Sequence, residues 1–476
     1  MTKKALHCKR FIVYLNGNHF QMVIISIGRF YVMSKVIVIG SNHAGIAATN
    51  TMLGTYKDLE VTVIERNSYI SYLGCGTALW VGGQLPGPDQ LFYSSGDALT
   101  DAGATVHMET AVKNVDFDKK VVTAVAKDGS EFEQAYDKLI LATGSRPILP
   151  NIPGIDLNNV HYVKTFHQGG DIHEALKSDD VKAVAVIGAG YIGVEMAEAI
   201  QLRGKKTYMF EADSSILPGY YDEWLTADMQ AHMEKNGVDI RLEERIESIT
   251  GDGTVTGIVT EKGTYDVDMV IVCVGFTANN ELGKDVLELT PTGAYKVNLN
   301  QETSQPDVYA VGDCAVVYSN ALQDTAYIAL ATNAVRSGIV AAHNAGGTPL
   351  ESAGVQGSNG ISIYGYNMVS TGLTFKAAGE AGFDAAHTDF EDLQKPGFLT
   401  ENNHNVKIRI VYDKTTRRVL GAQLASFNDI SMGIHMFSLA VAKQVTIEEL
   451  ALLDIFFLPH FNQPYNYITM AALTAK

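Results

Sequence analysis

Twice in this chain a short β-branched run ends in a glycine turn that opens a helix, and the strand after that helix ends in glutamate. The first copy runs Lys35–Ile39, then Gly40-Ser41-Asn42-His43-Ala44-Gly45, a helix to about Leu53, and a strand Glu60–Ile64 ending at Glu65. The second runs Val181–Ile187, then Gly188-Ala189-Gly190-Tyr191-Ile192-Gly193, a helix Val194–Arg203 closed by Gly204, and a strand Lys206–Phe210 ending at Glu211. Such a strand, turn and helix place a pyrophosphate on the helix N-terminus and ribose hydroxyls on the terminal carboxylate. The second turn is a full GxGxxG, whereas Asn42 replaces the middle glycine of the first, which leans on Glu65 for support. His43 either projects past the pyrophosphate or is a turn residue satisfied by backbone contacts. Glu211, followed by Ala212 and Asp213 with no arginine close by, accepts two ribose hydroxyls and repels a 2′-phosphate, which predicts NADH over NADPH.

Between the two copies lies SYLGCGTALW, Ser71–Trp80, with one cysteine between glycines just ahead of a helical start. Unpaired amides and the positive helix end lower a thiol pKa, so Cys75 is the expected reactive atom; the alternative is a small, packed apolar residue. Cys8, Cys75, Cys273 and Cys314 are too widely spaced for a disulfide framework or a CxxC metal pair, which predicts a reducing, cytoplasmic setting. Cys273, in IVCVG, and Cys314, beside Asp313, read as packed bystanders. A length of 476 residues calls for two or three domains, and a net charge of −17 argues against nucleic acid or an anionic membrane as partner. The segment 1–32 carries Lys3, Lys4, Lys9, Arg10 and Arg29 and no acid, but Asn16-Gly17-Asn18-His19 interrupts its apolar run, so it suits neither a signal peptide nor a membrane span. Met33 opens MSKVIVIG as a natural start, which makes 1–32 an upstream extension.

Two further segments complete the pattern. YDKLILATG, Tyr136–Gly144, is a strand that brings small residues and an amide-rich turn against a cofactor, and TSQPDVYAVGDCA, Thr303–Ala315, offers Asp313 to a polyol chain. In this order the segments resemble the flavin-dependent pyridine nucleotide disulfide reductase superfamily. The resemblance implies FAD on the first site and NADH on the second. For FAD it points to Gly40, Ser41, Asn42, Ala44, Gly45, Glu65, Thr143, Gly144, Ser145, Lys164, Gly312, Leu330, Ala331 and Thr332, with Asp313 on the ribityl group. For NAD it points to Gly188, Gly190, Tyr191, Ile192, Gly193, Glu211, Tyr220 and Gly275. Disulfide-reducing members carry a cysteine pair where only Cys75 stands here, so the chain is similar to the single-cysteine branch of NADH oxidases, NADH peroxidases and coenzyme A-disulfide reductases. GCGTALW, GAGYIGVEMAEA, GVQGSNGISIYG, SMGIHMFSLA and FFLPHFNQPYNYITMAALTA make it especially similar to the water-forming NADH oxidases. Thr77 departs from the larger apolar residue of many relatives and is expected to alter packing beside the thiol.

The implied fold is α/β, with two Rossmann-like dinucleotide-binding domains and a C-terminal α+β dimerisation domain. FAD would take 33–147 and 277–347, NAD the inserted 148–276, and dimerisation 348–476. In the last, Val406–Tyr412 and Arg418–Ala425 read as antiparallel strands and Ile430–Lys443 as a core helix. The aromatic segment Asp454–Tyr467 is costly to expose, so a homodimer or dimer of dimers is expected, with His460 bordering the other subunit's site or packing in the interface. The implied reaction takes two NADH and O2 to water through a Cys75 thiolate and sulfenic acid, with His43 as acid–base partner. A peroxidase has the same parts; a coenzyme A-disulfide reductase needs a basic cluster not evident in the C-terminal third; a non-enzymatic redox sensor signalling through Cys75 needs a partner surface and slow turnover.

Overall fold

The computed structural model describes residues 33–476 and, upstream, a backbone hairpin pairing Ile12–Asn16 with His19–Val23. The reading of 1–32 as an upstream extension otherwise lies outside the described residues.

Two parallel five-stranded sheets share one plan. In the first, Ser34–Ile39 lies between Lys138–Leu141 and Leu59–Ile64, with Val308–Ala310 and Thr105–His107 at the edges. In the second, Ala183–Ile187 lies between Met269–Val272 and Lys206–Phe210, with Val160–Tyr162 and Val238–Arg241 at the edges. The central strands are apolar without alternation because helices or sheets cover both faces, and Val36, Val38, Val184 and Val186 are wholly buried. Each parallel sheet has a three-stranded antiparallel companion, Thr110–Asp116 with Val121–Ala126 and Glu131–Ala135 in one, Ile246–Gly251 with Val255–Thr260 and Gly263–Asp266 in the other. The chain leaves the first unit at Ser145–Pro147 and returns at Phe276–Ala278, and these crossings pair antiparallel. The two Rossmann-like domains expected from the glycine turns are both present. The second central strand starts at Ala183 rather than Val181, because the amides of Lys182 and Ala183 bond the Asp268 carboxylate instead of a neighbouring strand.

The C-terminal unit is one antiparallel sheet, ordered Asn359–Ile363, Tyr366–Gly372, Val419–Ser426, Asn405–Asp413 and Ala385–Leu393. Helices Ser431–Ala442 and Tyr467–Leu473 cover one face, enclosing Ile408, Ile410, Leu424 and Phe437. The other face meets the second dinucleotide domain. There the buried Gln423 donates to the Asp222 carboxylate at 2.7 Å and accepts from the Asp222 amide, while Arg409 bridges Asp222 and Asp389. Away from both, Met432 (77%) and Leu452 (84%) stand exposed, with Phe456, Phe457, Phe461 and Tyr465. Among the described residues no helix is long and apolar enough to cross a membrane.

Candidate functional site

The two glycine turns are built alike, atom for atom. Gly40 and Gly188 have φ of +98° and +97°, and a Cβ on either would strike the carbonyl of Ala142 or Cys273 on the adjoining strand. A Cβ on Gly45 or Gly193 would overlap the carbonyl of Gly40 or Gly188, so these glycines let helix and strand close together. The middle position differs: around Gly190 no atom lies within 4 Å of a Cβ. Asn42, at the corresponding place, is exposed, so its side chain is accommodated there. Helices His43–Thr55 and Tyr191–Leu202 both begin without a side-chain cap, which leaves their first-turn amides free for a pyrophosphate.

Each terminal acid braces its own turn. Glu211 accepts from the amides of Ala189, Ala212 and Asp213, leaving one acceptor position for a ribose. Glu65 is buried and accepts from the amide and hydroxyl of Ser41 and from the amide and side chain of Asn67. All of its acceptor positions are in use. A ribose bound there would compete with Ser41 Oγ or Asn67 Nδ2 for the Glu65 carboxylate.

Beyond the first turn the structure gathers residues from three distant segments. Lys164 Nζ donates to Ser145 Oγ at 2.8 Å and to Asp313 Oδ2 at 3.2 Å, and Ser145 Oγ donates to Asp313 at 2.8 Å. Thr143 and Gly144 border this triangle, held by Asn279, whose amide donates to the Gly144 carbonyl and whose side chain donates to the Thr143 carbonyl. Gly312 sits against Ala44 Cβ, which brings the Asp313 turn over the first helix. Leu330, Ala331 and Thr332 form the uncapped start of helix Ala331–Ala345, and that helix packs along His43–Thr55. The buried Tyr327 hydroxyl has no protein partner and feels the charge of Asp313. An uncapped helix start, an acid beside an orphan hydroxyl and an open cradle together fit a dinucleotide with a polyol chain. Asn279 and Tyr327 escaped sequence reasoning, since each lies in an unremarkable stretch and acts only through its fold neighbours.

Cys75 lies in a one-turn 3-10 segment, Gly74–Gly76, that runs into the short helix Thr77–Val81. Thr77 is buried; its hydroxyl donates to the Gly74 carbonyl and is bonded to Tyr72 Oη at 2.6 Å. Thr77 therefore fastens the cysteine turn, where the sequence suggested only altered packing. The thiol itself reverses one expectation. Although one side of Cys75 is open, burial of the rest pushes its pKa up, the Glu195 carboxylate pushes further, and Lys164 opposes them. The five-residue helix is too short for its dipole to outweigh these effects. Beside Cys75 opens a cavity of about 400 Å³, walled by Ala78 and Leu79, by Glu195 and Glu198, and by Gly360, Ile361 and Ser362. Burial raises Glu195 to about 7, with the Glu198 charge adding. Cys314 is packed as expected, its Sγ donating to the carbonyls of Leu141 and Val311; Cys273 is half-buried just past the strand Met269–Val272 rather than within it, and desolvation of its thiol pushes its pKa up to about 12.

His43 opens the first helix rather than lying within the turn, and its ring stacks parallel to Tyr93 with Nδ1 3.0 Å from the Tyr93 hydroxyl. Burial lowers its pKa, Asp313 raises it and Lys164 lowers it, so the imidazole is neutral near pH 7. On the second site Tyr191 opens its helix, three residues earlier than the sequence suggested, and Tyr220 meets it edge-on at 4.6 Å. Ile192 is half-buried beside it, and Gly275, with φ of +106°, turns the adjoining strand end toward Ile148. His460 is exposed on the aromatic segment, and the described chain brings it to neither glycine turn.

Residues 34–338 match the family model for pyridine nucleotide-disulphide oxidoreductases, and 361–466 match that family's dimerisation domain. The chain is 55% identical over 456 residues to an NADH oxidase of Streptococcus pyogenes serotype M6, covering 93% of this chain and 100% of that one. It is also 55% identical over 445 residues to an NADH oxidase of Lactococcus lactis subsp. cremoris, with the same coverage. Among solved structures, a water-forming NADH oxidase from Lactobacillus brevis bound to NADH superposes with a TM-score of 0.89 at 38% identity, covering 92% of this chain and 97% of that one.

Proposed function

The chain belongs to the pyridine nucleotide-disulphide oxidoreductase family, and we propose that it works as an FAD-dependent NADH oxidase that carries O2 to water through the Cys75 thiol. The first glycine turn, the Ser145–Lys164–Asp313 triangle and the start of helix Ala331–Ala345 hold FAD; the second turn, Glu211, Tyr191 and Tyr220 hold NADH. FAD held there would supply the hydride acceptor and the route by which an electron pair reaches oxygen. The chain's own residues do the rest. Amides of Gly40–Gly45 and Gly188–Gly193 take the two pyrophosphates, Asp313 accepts from polyol hydroxyls, and Glu211 discriminates against a 2′-phosphate.

One observation carries the oxygen half of the reading: among the described residues Cys75 is the exposed thiol, while Cys273 is half-buried and Cys314 buried. A lone thiol has no neighbour with which to close a disulfide, but it can cycle with peroxide. Its thiolate attacks hydrogen peroxide formed by two-electron reduction of O2; an S–O bond forms, the O–O bond breaks, water leaves, and sulfur is oxidised to sulfenic acid. The electron pair of a second NADH then reduces the sulfur, the S–O bond breaks, and the second water leaves. His43, neutral and bonded to Tyr93 through Nδ1, has Nε2 to move the accompanying proton. The exposed aromatic segment lies in the region matching the dimerisation domain, and a second copy of the chain covers it, as a homodimer or a dimer of dimers. The widely spaced cysteines suit a cytoplasmic setting.

Trapping tests the thiol's part. Protein treated with one equivalent of peroxide and then dimedone should carry the adduct on Cys75 by peptide mass spectrometry, with reactivity lost after NADH. An adduct elsewhere, or none, contradicts the cycle. NADH consumption that needs added peroxide and uses no O2 would make the protein a peroxidase instead.

A further inference from the structure

Tyr191 follows the second glycine of the second turn, yet one of the contacts that hold it comes from another domain. Its hydroxyl donates to Asn359 Oδ1, on the first strand of the C-terminal sheet, and lies 2.9 Å from the Tyr221 hydroxyl. Asn359 cannot be turned round to serve as a donor there. Its Nδ2 already donates to the Gly357 carbonyl at 2.7 Å, which aims Oδ1 at the hydroxyls of Tyr191, Ser370 at 3.1 Å and Tyr221 at 3.2 Å. Tyr221 is buried and has a second acceptor in the Met368 carbonyl at 3.1 Å, whereas for the Tyr191 proton the acceptors are Asn359 and Tyr221 itself. Tyr220 meets the ring edge-on at 4.6 Å. The strand Asn359–Ile363 and the helix Tyr191–Leu202 belong to one core, in which Ile361, Ile363 and Met368 pack with Val194 and Met196, so the support is rigid.

We propose that Asn359 is a positioning residue for NADH: it fixes the Tyr191 ring as a preformed wall of the nucleotide site and so couples the dimerisation domain to nucleotide affinity. The inference rests on the reading of the second turn as the NADH site. A side chain held before the ligand arrives loses little entropy on binding, so release of the ring weakens affinity and leaves later chemistry alone.

The test uses flavin-loaded protein carrying Asn359→Leu, Tyr191→Phe and the Leu/Phe double substitution. Steady-state oxidation gives KM and kcat for NADH, and calorimetric titration with NAD+ gives a dissociation constant independent of turnover. Loss of one net hydrogen bond corresponds to about a five-fold change. Asn359→Leu is expected to raise both KM and the NAD+ dissociation constant by that factor with kcat within about two-fold. Added to Tyr191→Phe, Asn359→Leu should change the NAD+ dissociation constant no further, because the nucleotide-site hydroxyl that Asn359 accepts from is gone; a purely structural role, acting through Ser370 or Tyr221, would still add its full effect. Unchanged KM in Asn359→Leu, or additivity in the double variant, overturns the proposal. Wild type that neither binds NAD+ nor oxidises NADH overturns the nucleotide reading and this inference with it.

Discussion

At Cys75 local and long-range chemistry pull in opposite directions. The flanking glycines and the helix start, legible in the sequence, identify the residue and explain its access. The carboxylate that adds to burial in raising its pKa was not legible, because Glu195 lies in a different domain and reaches the thiol through the packing of helix Thr77–Val81 on helix Tyr191–Leu202. Removing that charge should lower the Cys75 pKa, so the pH profile of iodoacetamide alkylation should move to lower pH in Glu195→Gln; an unmoved profile would show that the two groups do not interact. Glu195 also carries a stability prediction. Its folded pKa, about 7, lies above its ordinary value of 4.5, so its contribution to stability is fully present below 4.5 and is lost as pH rises through about 7. Glu195→Gln should therefore melt with wild type near pH 4 and at higher temperature than wild type near pH 8. The opposite order would mean that Glu195 is held ionised.

At the scale of elements, the two glycine turns show what a sequence pattern conveys and where it stops. Spacing alone placed both helices and both acids, because the close approach of helix to strand excludes any Cβ at Gly45 and Gly193. It did not reveal that Glu65 and Glu211 brace the turns they follow, since those bonds return across the sheet to Ser41 and Ala189. Replacing Glu211 by Ala thus removes both a ribose acceptor and a brace: KM for NADH should rise at least ten-fold, and NADPH should gain relative to NADH. Thr77→Val gives a cleaner test of the cysteine turn. It keeps the shape and removes the hydroxyl that joins Gly74 and Tyr72, at a cost of about 1–3 kcal/mol for the buried groups left unpaired. Chemical denaturation that finds no loss would refute this role of Thr77.

The molecule as a whole is a duplicated dinucleotide fold with an antiparallel sheet set against its second copy. The duplication was legible because strands, turns and acids recur in the same order; the dependence of Tyr191 on the C-terminal sheet was not, because Asn359 belongs to no dinucleotide pattern and meets Tyr191 only in the folded chain. The exposed stripe of Met432, Leu439, Leu452 and Phe456 predicts association. Met432→Glu together with Phe456→Glu should shift sedimentation toward the monomer, and unchanged sedimentation would move the interface elsewhere. The central claim, that one thiol completes a four-electron reduction, is tested most directly by the NADH consumed per O2, with peroxide assayed in the same sample, for wild type and Cys75→Ser. The account predicts a ratio of about two without peroxide for wild type, and about one with peroxide released for Cys75→Ser. A wild-type ratio of about one with accumulating peroxide, or a Cys75→Ser protein that still makes water, would contradict it.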